Sequence, residues 1–110
     1  MLSIDALRRF GANTDEGVRR CMNNEAFYLR MVFMATDEKY LNMLRDGLAE
    51  NDPEKAFEGA HGLKGVMANL ALTPLLTPVQ EITELLRSRT QTNYAPLLAR
   101  IDKQKDLLLA

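Results

Sequence analysis

Apolar residues recur along this chain in steps of three and four, and the strict alternation expected of half-buried strands is missing. The pattern predicts an all-α domain. Ser3 can cap a short helix that ends near Phe10, with Gly11 as its stop, and Thr14 begins an acid-led segment that runs to about Met22. Both read as N-terminal packing pieces. Asn24 offers a cap for a helix through Met34. The run Thr36-Asp37-Glu38 then either caps a new helix or marks a bend inside one long helix. From Tyr40 the positions Tyr40, Leu41, Leu44 and Leu48 keep helical spacing as far as Asn51.

Asp52-Pro53 is the clearest helix start, because aspartate accepts from orphan amides and proline at the first helical position sacrifices no hydrogen bond. The helix it opens is expected over about 53–70. For the next helix, Thr73-Pro74 and Thr77-Pro78 compete. Thr77-Pro78-Val79-Gln80 forms a capping box, and a proline at 78 inside a helix begun at 74 would kink it, which favours a start at Thr77 and an end near Ser88. Thr92-Asn93 opens the last helix, with Leu97, Leu98, Ile101, Lys105 and Leu108 in register and Pro96 in its first turn. Four longer helices on short loops should pack as an antiparallel up-and-down four-helix bundle, with the N-terminal segments against one end, in one domain spanning 1–110.

Composition narrows the partners. With 110 residues, 46% hydrophobic content and a net charge of −1, the chain suits a single core. No basic cluster marks a nucleic-acid surface or a polybasic membrane patch, and no apolar run approaches the roughly 18 residues of a membrane span. The N-terminus lacks the layout of a signal peptide. Another folded protein is therefore the default partner. The single cysteine, Cys21, reads as a buried apolar thiol in a reducing cytoplasm. The six methionines read mostly as core filler, some of them bordering a docking surface.

The only histidine, His61, lies in the run Ala60-His61-Gly62-Leu63-Lys64-Gly65. On its helix, Ala56, Ala60, Leu63, Met67 and Leu70 form a core stripe, and His61 falls about 140° from the centre of it, in company with Glu54, Glu58 and Gly65. It should face water. Three glycines in that helix, Gly59, Gly62 and Gly65, each cost roughly 0.8 to 1 kcal/mol relative to alanine. The first two project elsewhere, and close packing of a neighbouring helix explains them as well as clearance for a partner does. Gly65 shares the histidine face one turn on, and with Ala68 beyond it leaves the space above the imidazole clear for a partner. Lys64, about 60° around the helix from His61, reads either as a solvated, snorkelling side chain or, beside an exposed imidazole, as an ammonium able to neutralise part of the charge of a phosphoryl group on that histidine through a charge-assisted hydrogen bond.

Other chemistries fit less well. Glu58-x-x-His61 has the spacing of a bundle dimetal ligand pair, but the second pair is missing and this one faces water. No serine or cysteine pairs with His61 at a defensible spacing, and no glycine-rich phosphate loop is present. Glu54 and Glu58 read as a solvated acidic face or as a rim selecting a partner's basic residues.

His61 to Gly65 match the H-x-L-K-G signature of histidine-containing phosphotransfer domains, and the chain resembles that family over nearly its whole length. The resemblance implies a four-helix bundle whose exposed histidine takes a phosphoryl group from a receiver-domain aspartate and passes it to another receiver. Residue by residue, His61 matches the phosphorylated position, Lys64 the stabilising cation, Gly65 the clearance position and Leu63 the core anchor beneath them, while Asn69-Leu70 resembles the family's helix end. Three positions depart from the pattern. Val66 replaces a small polar residue, Ala71 replaces a helix-ending glycine, and Thr83 stands where many members carry a glutamine reaching toward the histidine; Gln80, one turn earlier, could substitute.

The family likeness implies a phosphocarrier without kinase or hydrolase turnover. Its expected partners are response-regulator receiver domains and a hybrid sensor histidine kinase, met by a monomer at a rim including Glu54, Glu58 and Ala68. No cofactor or metal of its own is expected, since the partner receiver would supply Mg²⁺. The competing reading is an interaction module that binds a receiver or kinase without carrying phosphate, and a third is an orphan structural bundle.

Overall fold

Short polar side chains open the first helices where the sequence places them. In the computed structural model, which describes residues 2–110, Ser3 Oγ accepts from the Ala6 amide (3.0 Å) to start α1 (Ile4–Phe10), and Gly11 ends it at φ 109°. Asn13 Oδ1 caps α2 (Thr14–Arg20), which stops two residues short of expectation because Met22 and Asn23 turn the chain through the left-handed region. Asn24 Oδ1 accepts from the Phe27 amide (3.0 Å) and opens α3 (Glu25–Ala35). At Thr36 the side chain donates to the Phe33 carbonyl (2.6 Å), α3 ends, and α4 (Lys39–Ala49) begins as a separate helix. The choice left open at 36–38 is therefore a break between two helices.

Asp52 Oδ1 accepts from the Lys55 amide (3.1 Å) and Pro53 leads α5 (Pro53–Asn69), the helix that carries His61. The next helix corrects an expectation. α6 runs Thr73–Arg87, starting four residues before Thr77, with Pro78 buried inside it. Proline at 78 forgoes one backbone hydrogen bond and crowds the carbonyl four residues earlier, a cost of about 3 kcal/mol in a helix interior. Continuing the helix through 73–76 buries Leu75 and seats it beside Leu72 and Val79, and each buried aliphatic side chain contributes roughly 1.5 to 3 kcal/mol. Packing therefore outweighs the local breaker. α7 (Ala95–Leu109) follows, with Asn93 Oδ1 accepting from the Ala95 amide (3.0 Å).

Side-chain pairs fix how these helices run. Between α4 and α5, Gly47 meets Ala56, Leu44 meets Gly59 and Tyr40 meets Gly62, so one series rises as the other falls. Between α5 and α6, Phe57 lies against Arg87 and Lys64 against Glu84. Between α4 and α7, Glu38 pairs with Lys105 and Arg45 with Asp102. Each of these three contacts is antiparallel, and together they close the four-helix bundle α4–α7 with no strand among the described residues. The predicted stripe Ala56, Ala60, Leu63, Met67 and Leu70 is buried in its core. No helix among the described residues is long and apolar enough to cross a membrane.

The N-terminal helices complete the C-terminal end of α5. Helix ends leave carbonyls without partners, and here α2, α3 and the loop before α2 supply them. Arg20 Nη1 donates to the Ala68 carbonyl (2.7 Å), the buried Tyr28 hydroxyl to that of Leu70 (2.9 Å), and the Asn13 amide to that of Ala71 (2.9 Å). Within the chain turn itself, the Ala71 amide bonds the Ala68 carbonyl (3.1 Å) and the Leu72 amide that of Met67 (3.0 Å), the two-bond closure usually built on glycine. Alanine holds that position at φ 56°.

Two outcomes follow from this junction. Left-handed backbone costs an L-residue roughly 1 to 2 kcal/mol, so Ala71→Gly should raise unfolding stability by about 1 kcal/mol in urea titration. Burial pushes the Tyr28 phenol up to about 12. The folded state therefore keeps a proton that the unfolded state releases near pH 10, and stability should fall as pH rises from about 10 to about 12. On the order of 1 kcal/mol of Tyr28's contribution should be lost by about pH 11, and the slope should be smaller in Tyr28→Phe in denaturation curves compared at pH 8 and 11, the remainder coming from groups such as Tyr94, which burial also raises.

Candidate functional site

His61 sits midway along α5 with its side chain exposed. Its orientation follows from the packing of a neighbour two residues earlier. A Cβ on Gly59 would lie 2.5 Å from the Leu44 backbone nitrogen and 2.7 Å from the Tyr40 carbonyl oxygen, so this face of α5 is pressed against α4. Two residues on is about 200° around the helix. His61 is thereby turned away from α4 and toward solvent.

The imidazole stacks on Phe57, one turn earlier, with ring centroids 5.6 Å apart and planes inclined at 19°. On that same side α6 brings charged groups. Arg87 places its guanidinium carbon 5.1 Å from the Phe57 ring centroid, and its Nε donates to Glu84 Oε2 (3.3 Å). The other Glu84 oxygen lies 3.6 Å from Lys64 Nζ. His61 is thus flanked by two cations, one on its own helix and one on the next, joined through a single carboxylate.

The other side of the histidine is apolar. Gly65 borders a shallow groove lined by Met31, Met34, Ala35, Val66, Asn69 and Leu70, and Met34 with its neighbour Phe33 is exposed. Two of the methionines considered for a docking edge are therefore beside Gly65. The three glycines separate by environment. A Cβ added at Gly59 would meet backbone and one added at Gly62 would lie 2.4 Å from the Tyr40 ring, whereas a Cβ on Gly65 would meet nothing within 4 Å.

The remaining candidate residues are less closely assembled. Glu54 is exposed and 3.8 Å from Arg89; Glu58 is exposed and makes no ion pair among the described residues. Ala68 is half-buried, its carbonyl taken by Arg20. Gln80 is exposed on α6, one turn before Glu84. Thr83 is fully buried and its hydroxyl donates to the Val79 carbonyl (2.6 Å), so it does not reach toward the histidine, and its neighbour Glu84 occupies the edge of the site instead. Among the described residues no three His, Cys, Asp or Glu side chains converge as a metal site would require.

Phe57, Glu84 and Arg87 were not among the expected site residues. Phe57 was discoverable, since a residue four before His61 shares its face. Glu84 and Arg87 required the register of α6 on α5, which the displaced start of α6 obscured.

Because the fold makes no use of the missing side chain at 65, Gly65→Ala should raise stability by about 0.8 to 1 kcal/mol through helix propensity alone. Gly59→Ala should lower it by about 1 to 3 kcal/mol or more by forcing α4 and α5 apart. Urea unfolding of the two variants beside the wild type measures both.

Comparison with known proteins agrees with this geometry. The family model described as the Hpt domain matches residues 29–110, which takes in α4–α7 and the C-terminal part of α3 and leaves α1 and α2 outside it. No curated protein and no solved structure matches the chain. A match over well more than half of the chain, on a bundle with an exposed histidine in its signature, identifies this protein as a member of the Hpt domain family, the histidine phosphotransfer domains of two-component signalling.

Proposed function

We propose that this protein is a phosphocarrier in which His61 accepts a phosphoryl group from a receiver-domain aspartate and donates it to a second receiver. One observation carries the reading: a helix-destabilising glycine at 65 stands beside an exposed histidine with open space where its side chain would be. Folding gives no reason for that glycine, and the approach of another protein's active site does.

An imidazole nitrogen attacks the phosphorus of the aspartyl phosphate, a P–N bond forms as the P–O bond breaks, and the carboxylate leaves. Donation is the reverse. Such a transfer needs in-line positioning and charge stabilisation more than covalent help. Phe57 holds the ring plane, Lys64 lies within a turn of the transferred group, and Gly65 keeps the approach clear. The acidic pocket and its Mg²⁺ belong to the receiver, so this chain requires no cofactor of its own. The groove beside Gly65, with Met34 and Phe33, suits an apolar receiver surface, and Glu54 and Glu58 supply an acidic rim for its basic residues. A monomer leaves this face open, whereas a dimer through it would block docking.

Phosphoryl transfer from a panel of phosphorylated receiver domains, scored as an acid-labile and base-stable label, tests the reading. Label on the wild type and none on His61→Gln is the expected result. No label from any donor, with receiver binding retained, would establish a binding module that carries no phosphate.

A further inference from the structure

Lys64, the cation nearest to hand for a phosphoryl group on His61, is already engaged. Its ammonium lies 3.6 Å from Glu84 on the facing helix, and the second oxygen of the same carboxylate accepts from Arg87 Nε at 3.3 Å. Arg87 in turn lies over Phe57, on which the imidazole stacks. A single carboxylate therefore holds the two cations that flank the histidine. The Lys64 side chain is 30% exposed, so much of its stem is packed. The neighbouring acid on α6, Glu81, is paired with Arg100 of α7 at 2.8 Å and takes no part in this cluster.

Resting on the phosphocarrier reading above, we propose that Glu84 is an intramolecular competitor for Lys64, which a phosphoryl group on His61 must displace to gain that cation. The phosphoryl group brings nearly two negative charges, and Lys64 cannot neutralise it while centred on a carboxylate. Exposed ion pairs of this kind are weak, so Glu84 yields and does not block phosphorylation. It subtracts from the stabilisation that Lys64 provides, and it recaptures the ammonium when the phosphoryl group departs. A carrier that must give up its cargo as readily as it takes it benefits from such a counterweight. A permanently free lysine would instead shift the balance toward the phosphorylated form. Glu84 touches neither the reacting nitrogen nor the phosphorus in this arrangement; it is a positioning residue acting through Lys64.

The test uses the full chain in two arms, one phosphorylated with phosphoramidate to follow the lifetime of the label, the other mixed unphosphorylated with one phosphorylated receiver domain and brought to equilibrium. Its readouts are the equilibrium share of phosphohistidine and the lifetime of the label. Glu84→Gln removes the competing charge from an exposed position and should increase the share of phosphohistidine about three- to ten-fold at low salt, with a smaller gain at high ionic strength. Glu81→Gln removes the same charge from the same helix three residues away and should change nothing. In a Lys64→Ala background the gain from Glu84→Gln should vanish, because the ammonium for which Glu84 competes is gone and its remaining partner, Arg87, is held at the other oxygen with or without Lys64. Circular dichroism melts verify that each variant is folded. An unchanged or reduced share in Glu84→Gln, an equal gain from Glu81→Gln, or a gain that persists without Lys64 would overturn the inference. A wild type that takes label on His61 from neither donor overturns the phosphocarrier reading itself, and the competitor role with it.

Discussion

The backbone-to-backbone crossing of α4 and α5 is the constraint on which the rest of the molecule depends. At Gly47 and Gly59 the two helices approach so closely that an added Cβ would sit 2.3 Å from the Ala56 nitrogen and 2.5 Å from the Leu44 nitrogen respectively. Glycine is a poor helix former, yet here it allows an approach that no other residue permits. Because the crossing pins one face of α5, it sets the rotation of the whole helix. Ala56, Ala60, Leu63 and Met67 are turned inward, and His61 is left facing solvent.

A second constraint acts along the axis of α5. Its terminal carbonyls are satisfied by Arg20, Tyr28 and Asn13, all of which precede the segment matched by the family model. The first helices are accordingly a cap for the histidine helix, bonded to it through the orphan groups that every helix end exposes. α5 is 17 residues long, about 26 Å at 1.5 Å per residue, in a molecule 41 Å in its longest dimension.

Around the histidine the two faces differ in kind. Toward α6 lie Phe57, Lys64, Glu84 and Arg87, a charged cluster wrapped about an aromatic ring; toward α3 lie Gly65, Val66 and the methionines of an apolar groove. A transferred dianion and a protein surface make opposite demands, charge for the one and dehydration for the other. On the phosphocarrier reading proposed above the helix would meet both, since Lys64 and Gly65, neighbours in sequence, fall on either side of His61 around its axis.

Much of this was legible from the residues alone. Caps at Ser3, Asn24 and Asp52, the stop at Gly11, the buried stripe of α5 and the outward turn of His61 are local or periodic properties, and a helix expresses them wherever it is placed. The sequence also separated Gly65 from Gly59 and Gly62, since rotation about one helix axis needs only 100° per residue. The start of α6 was a different matter. The local signal of Thr77-Pro78 was outweighed by the burial of Leu75 beside Leu72 and Val79, a term that exists only once the bundle has formed. The same is true of Glu84 and Arg87, and of Thr83, whose hydroxyl is bonded to its own helix. Sequence determined which face each helix would show. The tertiary structure decided which faces would meet, because register between helices is set by the packing of side chains that lie far apart in the chain.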